Sequence, residues 1–199
     1  MAEKDNLQSS PMALIMDGSR ADDMEARLAK ETIMSELKKA GFTCSEHILR
    51  DEQVSPCIGC FKCWLNTPGE CIYKDDGKKI AMDWARSKLL VLVTPVTFGG
   101  YSSDLKKGLD RVLPVLLPDF KNYNGETHHP HRYGKGFDVI AIGTMPKENE
   151  QSAKLFSDLV YRNSLNMHSK RRPVRIIIKG QGEDAVRKQA TEAVREVVA

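Results

Sequence analysis

Residues 89–100 read L-L-V-L-V-T-P-V-T-F-G-G. The first five are leucine and valine with no polar interruption. A helix with one wet face would break such a run every three or four positions, and a half-buried strand would alternate. An unbroken branched run therefore predicts a strand buried on both faces, as in the interior of a parallel sheet. Pro95, Gly99 and Gly100 then suit a turn in which the backbone can approach a ligand closely. A helix follows, with Ser102 or Ser103 as its N-cap and Leu105, Leu109 and Val112 as its buried stripe. Pro114 and Pro118 are expected to kink or end it.

The pattern repeats on either side. Met12–Met16 is a short apolar run closed by Asp17-Gly18-Ser19-Arg20, which reads as a strand and a turn. Residues 22–40 place Met24, Leu28, Ala29, Ile33, Leu37 and Ala40 at helical spacing, with Gly41 positioned to end the helix. Residues 42–49 suit a second strand that holds Cys44 as a buried residue. Residues 77–86 suit a helix. A long polar loop is expected over 119–136, and long loops in compact domains are often functional. Strand 139–142, helix 148–167, strand 174–178 and helix 183–198 complete the chain. Val186, Ala190, Val194 and Val197 recur along the last helix. Five strands alternating with helices predict a doubly wound α/β fold with right-handed crossovers.

The chain has 199 residues, 41% of them hydrophobic and 29% charged, with a net charge of +3. That length suits a single domain, residues 1–199, with residues 1–10 read as a flexible polar tail. The charge is too balanced to indicate nucleic acid. No apolar run approaches the roughly 18 residues needed to span a bilayer. Residues 1–10 also lack a signal-peptide core. The expectation is a cytoplasmic protein with no membrane partner, in which cysteines stay reduced.

In such sheets ligands bind beyond the carboxyl ends of the strands, where the strand order reverses. Three loops qualify: Gly18–Asp23, Thr94–Ser103 and Gly143–Lys147. The first matches neither a P-loop nor G-x-G-x-x-G. Its backbone N–H groups, the Ser19 hydroxyl and the Arg20 guanidinium could hold one monophosphate, or it is simply a capped helix start. Asp22, Asp23 and Glu25 favour a helix N-terminus but repel a phosphate. The second loop offers backbone donors to a flat ring, with Phe98 or Tyr101 to cover it. An ordinary strand-to-helix turn is the alternative.

Two longer stretches resemble a known family. They are C-I-G-C-F-K-C-W…P-G-E-C…D-D (57–76) and T-P-V-T-F-G-G-Y-S-S-D-L-K-K-G-L-D-R (94–111). Together they resemble the NADPH-dependent FMN reductases, which include the iron–sulfur flavoproteins. The resemblance covers most of residues 11–180. It implies a flavodoxin-like five-stranded sheet in the order 2-1-3-4-5 that binds FMN non-covalently. It would put Gly18, Ser19 and Arg20 at the FMN phosphate. Thr94, Pro95, Val96, Thr97, Phe98 and Gly99 would flank the isoalloxazine, with Gly143 and Thr144 on the third side. The chain departs from the family after Gly18-Ser19-Arg20. It carries Ala21-Asp22-Asp23 where relatives place an asparagine that helps to hold the phosphate.

Cys57, Cys60, Cys63 and Cys71 form C-x2-C-x2-C-x7-C, which resembles the [4Fe–4S] motif of the iron–sulfur flavoproteins. Thiolates suit such a cluster, and four are needed. The first three could project from one short helical turn, with Pro68-Gly69 returning the chain to Cys71. Three alternatives remain open. They are a zinc site, a thiol pair exchanging electrons with flavin, and a loop without metal. His128, His129 and His131 read as packing near the flavin or an interface rather than as a metal site, because neighbours on an extended chain point apart. Lys170-Arg171-Arg172 reads as a solvated turn, or else steers a nicotinamide phosphate.

Three functions follow as expectations. The first is an FMN-dependent NAD(P)H oxidoreductase passing electrons to a second acceptor. The second is an FMN and [4Fe–4S] electron-transfer protein serving a partner such as ferredoxin. The third is a fold relative that has lost FMN. No catalytic side chain is singled out, since a flavin carries the chemistry itself. The family resemblance implies a homo-oligomer.

Overall fold

The structure, a computed structural model, describes residues 10–123, 125–134 and 136–199. The expected flexible tail lies, except for Ser10, outside the described residues. Strands β1 (Met12–Asp17), β2 (Thr43–Ile48), β3 (Leu89–Pro95), β6 (Asp138–Met145) and β7 (Val174–Ile178) form one parallel sheet in the order β2-β1-β3-β6-β7. Counting only these strands, that is the expected 2-1-3-4-5. Between them run α1 (Met24–Lys39), α2 (Lys62–Leu65), α3 (Gly77–Arg86), α4 (Ser103–Asp110), α5 (Glu150–Asn166) and α6 (Glu183–Val198). Among the described residues no helix is long and apolar enough to cross a membrane.

The 89–93 run lies at the centre, with all five residues buried. Leu90 and Leu92 face a core shared with Trp84, Leu105, Val139 and Phe156. Leu89, Val91 and Val93 face a second core with Ile33, Ile140, Val194 and other residues of α1 and α6. Successive strand residues point to opposite faces, so an uninterrupted run feeds both cores.

Helix α1 ends as expected. Gly41 takes φ +85°, Gly41 N–H donates to Lys38 O and Phe42 N–H donates to Leu37 O. That is the paired bonding of a Schellman motif, which needs a left-handed residue. Its buried stripe differs from the expectation. Met24 is 62% exposed and Ala40 is exposed, while Ala26, Lys30 and Thr32 are buried. Lys30 is drawn inward by Asp17 and Glu46, a pairing that hydropathy does not report.

Four other expectations are corrected. The 119–136 segment holds a small antiparallel hairpin, β4 (Lys121–Tyr123) and β5 (Glu126–His128). Helix α4 stops at Asp110, before Pro114, and a 3-10 turn over Leu113–Val115 follows. Strand β6 continues to Met145, so Gly143 and Thr144 lie within the sheet rather than in the loop after it. Cys44 is half-buried, because β2 is an edge strand and Cys44 packs at the margin of the core lined by α1 and α6.

Candidate functional site

The strand order reverses between β1 and β3, and the loops leaving these two strands meet at the carboxyl edge. Gly18 N–H donates to Val93 O at 2.8 Å, and the Ser102 hydroxyl donates to Gly18 O at 2.8 Å. A Cβ on Gly18 would lie 2.6 Å from both Leu105 Cβ and Ser102 Oγ. Only glycine lets the β1 loop lie this close against the start of α4. Ser102 is the N-cap, its Oγ accepting from Leu105 N–H at 3.2 Å.

Asp17, at the end of β1, holds the first loop from inside. Its Oδ1 accepts from Ser19 N–H at 2.8 Å and from Ser19 Oγ–H at 2.5 Å, and its Oδ2 accepts from Lys30 Nζ at 2.6 Å. Burial alone would raise the Asp17 pKa. The Lys30 ammonium and the two Ser19 donors outweigh it and hold the carboxyl below its usual range. Ser19 is thus turned inward and buried, while Arg20 is exposed. Asp23 caps α1. Its Oδ1 accepts from Ala26 N–H at 3.0 Å, its Oδ2 accepts from Thr144 Oγ1–H at 2.7 Å, and Lys179 Nζ stands 3.4 Å away. It is 1% exposed.

The second loop is a tight turn. Thr97 and Gly100 exchange N–H···O bonds of 2.9 and 2.8 Å around Phe98 (φ +50°) and Gly99 (φ +77°). A left-handed Gly99 costs little, but a left-handed aromatic residue is a genuine outlier. Phe98 is wholly exposed at the tip. Thr94 is buried, its Oγ1 accepting from Ser102 N–H at 2.8 Å. Val96 N–H donates to Thr144 O at 2.9 Å, tying this loop to β6. A Cβ on Gly143 would press on Val96 and Phe156, so this glycine serves packing. Tyr101 is not available to cover a ring. It is buried against Phe156, accepts from Asn163 Nδ2, and has its hydroxyl pKa pushed up to about 12 by burial.

The cysteines adjoin α4 on its other side. Only Cys63 lies in the α2 turn, while Cys57 and Cys60 precede it in irregular chain that takes positive φ at Gly59 and Phe61, so the expected single turn carrying three thiols does not form. Cys57, Cys60, Cys63 and Cys71 nevertheless line one narrow cavity together with Arg111 and Tyr73. Burial and the neighbouring thiols push the Cys63 thiol pKa up. Among the described residues, no three His, Cys, Asp or Glu side chains stand at metal-binding spacing. His128 bonds Asn166 and Glu126, His129 bonds Asp119 O, and His131 packs on His168 and Phe137. All three therefore act in packing.

Sequence reasoning missed the residue that anchors this segment. Arg111, the C-cap of α4, makes two bonds to Asp75, Nη1–Oδ2 at 2.8 Å and Nη2–Oδ1 at 2.7 Å. It also donates to Ser55 O at 2.8 Å and lies 5.0 Å from the Tyr73 ring centroid. One buried guanidinium thus clamps the chain on both sides of the cysteines. A half-buried aspartate whose cationic partner is distant in sequence leaves no local sequence pattern.

The family model for NADPH-dependent FMN reductase matches residues 11–142, which span both apposed loops and all four clustered cysteines. An iron-sulfur flavoprotein of Methanocaldococcus jannaschii is 29% identical over 102 residues, 51% of this chain and 52% of that protein. One from Archaeoglobus fulgidus is 30% identical over 104 residues, 50% of this chain and 52% of its own. The chain thus spans about half the length of the curated relatives it matches. Among solved structures, an NAD(P)H:quinone oxidoreductase from Methanothermobacter marburgensis superposes with TM-score 0.70 at 14% identity, covering 95% of this chain and all of that one. An FMN-dependent NADH-azoreductase from Bacillus anthracis, solved in complex with FMN, gives 0.64 at 14% identity over 94% and 97%. Identities this low show a shared fold alone, whereas the family model covers well over half of the sequence, and the chain belongs to the NADPH-dependent FMN reductase family.

Proposed function

We propose that the protein is a flavodoxin-like FMN-dependent NAD(P)H oxidoreductase that passes electrons from reduced nicotinamide through flavin to a second acceptor. One observation carries the reading. At the point where strand order reverses, the β1 and β3 loops are apposed, and the β3 loop holds an aromatic residue strained and fully exposed at its tip. Backbone strain of this kind costs about 1–3 kcal/mol and tends to mark functional sites.

The ring end of the site fits a flavin. Beyond the end of β3, residues 96–99 present backbone along a turn stiffened by the Thr97–Gly100 bonds, and Phe98 offers a flat apolar surface. When bound, flavin supplies the redox chemistry, while the protein binds and orients it. Thr94 and Ser102 lock the turn to α4. Val96 fixes it to β6 through the Thr144 carbonyl.

A second reading adds a [4Fe–4S] cluster held by Cys57, Cys60, Cys63 and Cys71, with ferredoxin as one acceptor. Four thiolates suit such a cluster and all four line one cavity, but among the described residues their side chains do not stand at metal-binding spacing, so the cluster would require them to draw together. Iron and sulfide analysis after anaerobic purification tests it, and iron-free protein overturns it. We further propose a single cytoplasmic domain working as a homo-oligomer. The exposed Ile58, Phe61, Leu65 and Phe120 beside the cysteine segment support a subunit contact there. The oxidoreductase reading is tested by NADH and NADPH oxidation with saturating flavin, and absence of oxidation of either nucleotide overturns it.

A further inference from the structure

Helices α3, α4 and α5 all end at the amino edge of the sheet, opposite the edge that carries the β1 and β3 loops. There they border a cavity of about 220 Å³. Trp84 comes to it from α3, Leu109 from α4, Asn163 from α5 and His131 from the segment after β5. Helix α4 begins at Ser102, against the β1 loop, and runs about 10 Å to Leu109. The cavity is therefore separate from the site of the two loops.

Two nitrogens in this lining have no partner. Trp84 is 2% exposed, and its Nε1 is buried with no hydrogen-bond acceptor among the described residues. His131 Nε2 is also buried and unpaired among them. The other tryptophan is a contrast, since Trp64 Nε1–H donates to Leu116 O at 3.1 Å. Buried polar side-chain atoms are in the large majority paired with protein or ordered water. Two orphans in one cavity point to an occupant.

Size, polarity and charge narrow what that occupant is. An apolar cavity of about 150 Å³ holds one benzene ring, so this one has room for a single ring with a substituent. Leu109, Val112, Val115 and Met167 make the rest of the lining largely apolar. That suits a ring better than a cluster of waters, each of which needs about 2–4 polar partners. Trp84 Nε1–H only donates, so the ligand must bring an acceptor. Burial and the neighbouring His168 push the His131 pKa down to about 4, so its imidazole is neutral near physiological pH. Its Nε2 then accepts or donates according to tautomer, and a hydroxyl serves either case. Lys106 and Asp110 also border the cavity, but they pair with each other at 2.6 Å and leave no net charge.

We propose that this cavity is a second ligand site, one that takes an uncharged single-ring aromatic bearing a hydroxyl, a phenol in chemical class. Trp84 and His131 are its polar contacts. The site involves no redox step and does not depend on the flavin reading.

The experiment titrates the full chain with phenol and follows the indole N–H signals by NMR. There are two tryptophans, and Trp64→Phe assigns their signals. Phenol should shift the Trp84 signal saturably, with a millimolar Kd expected for so small a ring. Benzoate, which is charged, should not bind. Trp84→Phe keeps a ring and deletes the donor. Followed at the Met167 amide, it should weaken phenol by about three- to tenfold and toluene by less than about twofold. Toluene binding also shows that the variant is folded with its cavity intact. Absence of a saturable Trp84 shift in the wild type up to about 10 mM phenol would overturn the proposal, whatever the variant does. Equal phenol binding by the wild type and by a Trp84→Phe protein that still binds toluene would overturn it too. So would a Trp84 shift that vanishes as protein concentration rises, since a second copy would then be filling the cavity.

Discussion

Replacing Arg111 by methionine tests the clamp between α4 and the cysteine segment. Arg111 is 1% exposed and Asp75 is nearly buried. The change removes both charge-assisted bonds to Asp75 and the bond to Ser55 O. Asp75 keeps only its backbone donors, Ser55 N–H at 2.9 Å and Gly77 N–H at 3.1 Å. Breaking a buried pair by removing one partner costs about 3–5 kcal/mol. Because Asp75 retains those donors and some water contact, the lower end applies, about 3 kcal/mol. Against a total stability of about 5–15 kcal/mol this is a large fraction. The pH dependence follows. Burial would raise the Asp75 pKa, but the Arg111 and Ser55 donors hold it well below the usual carboxylate range. A depressed native pKa adds stability above the unfolded value, near 4, and loses it as the pH falls further. Urea denaturation should therefore show a wild type that weakens in acid and an Arg111→Met protein that starts weaker and changes less. A double-mutant cycle with Asp75→Asn should give a coupling of about 2 kcal/mol or more. A stability loss under about 1 kcal/mol, or coupling near zero, would refute the clamp. The buried Cys63 should also react faster with iodoacetamide in the variant, since its covering segment is released.

Three further outcomes are expected. His131 is pushed down to about 4 by burial and by the neighbouring His168 charge, so the unfolded chain binds a proton first and stability should fall as pH drops from about 6.5 towards 4; urea midpoints at pH 7 and pH 5 should lie closer together in His131→Gln. Phe98→Gly should raise the thermal midpoint, because it relieves left-handed strain of about 1–3 kcal/mol, and should weaken flavin binding; a lower midpoint with unchanged binding would contradict both roles. Lys30→Met leaves Asp17 buried without its countercharge and should cost about 3–5 kcal/mol in urea unfolding.

Much of the fold was legible in the sequence because its periodicities are strong. The 89–93 run has no polar break, and the 186–197 stripe is wholly buried as read. The hairpin over 121–128 was missed although Asn124-Gly125 in the sequence is a strong hairpin signal, because so polar a stretch has no alternating face to betray its strands. Stripe errors in α1 came from Lys30, whose burial depends on Asp17 thirteen residues earlier. The loops of the site were legible as loops, since glycine and proline mark them. What they do with their charges was not. Whether Asp23 repels a phosphate or closes a helix depends on Thr144 and Lys179, both more than 100 residues away. The Asp75–Arg111 pair, 36 residues apart, is hidden for the same reason.

An oxidoreductase of the proposed kind must hold a flavin at the junction of the β1 and β3 loops. The most direct measurement is quenching of flavin fluorescence on titration of purified protein into riboflavin and FMN, run beside Gly18→Val. In that variant the added side chain would press on Leu105 and Ser102 and part the two loops. The account predicts saturable quenching by the wild type and loss of quenching in Gly18→Val, with circular dichroism showing the variant's sheet retained. Absence of quenching by the wild type, or equal quenching by a folded Gly18→Val protein, would contradict it.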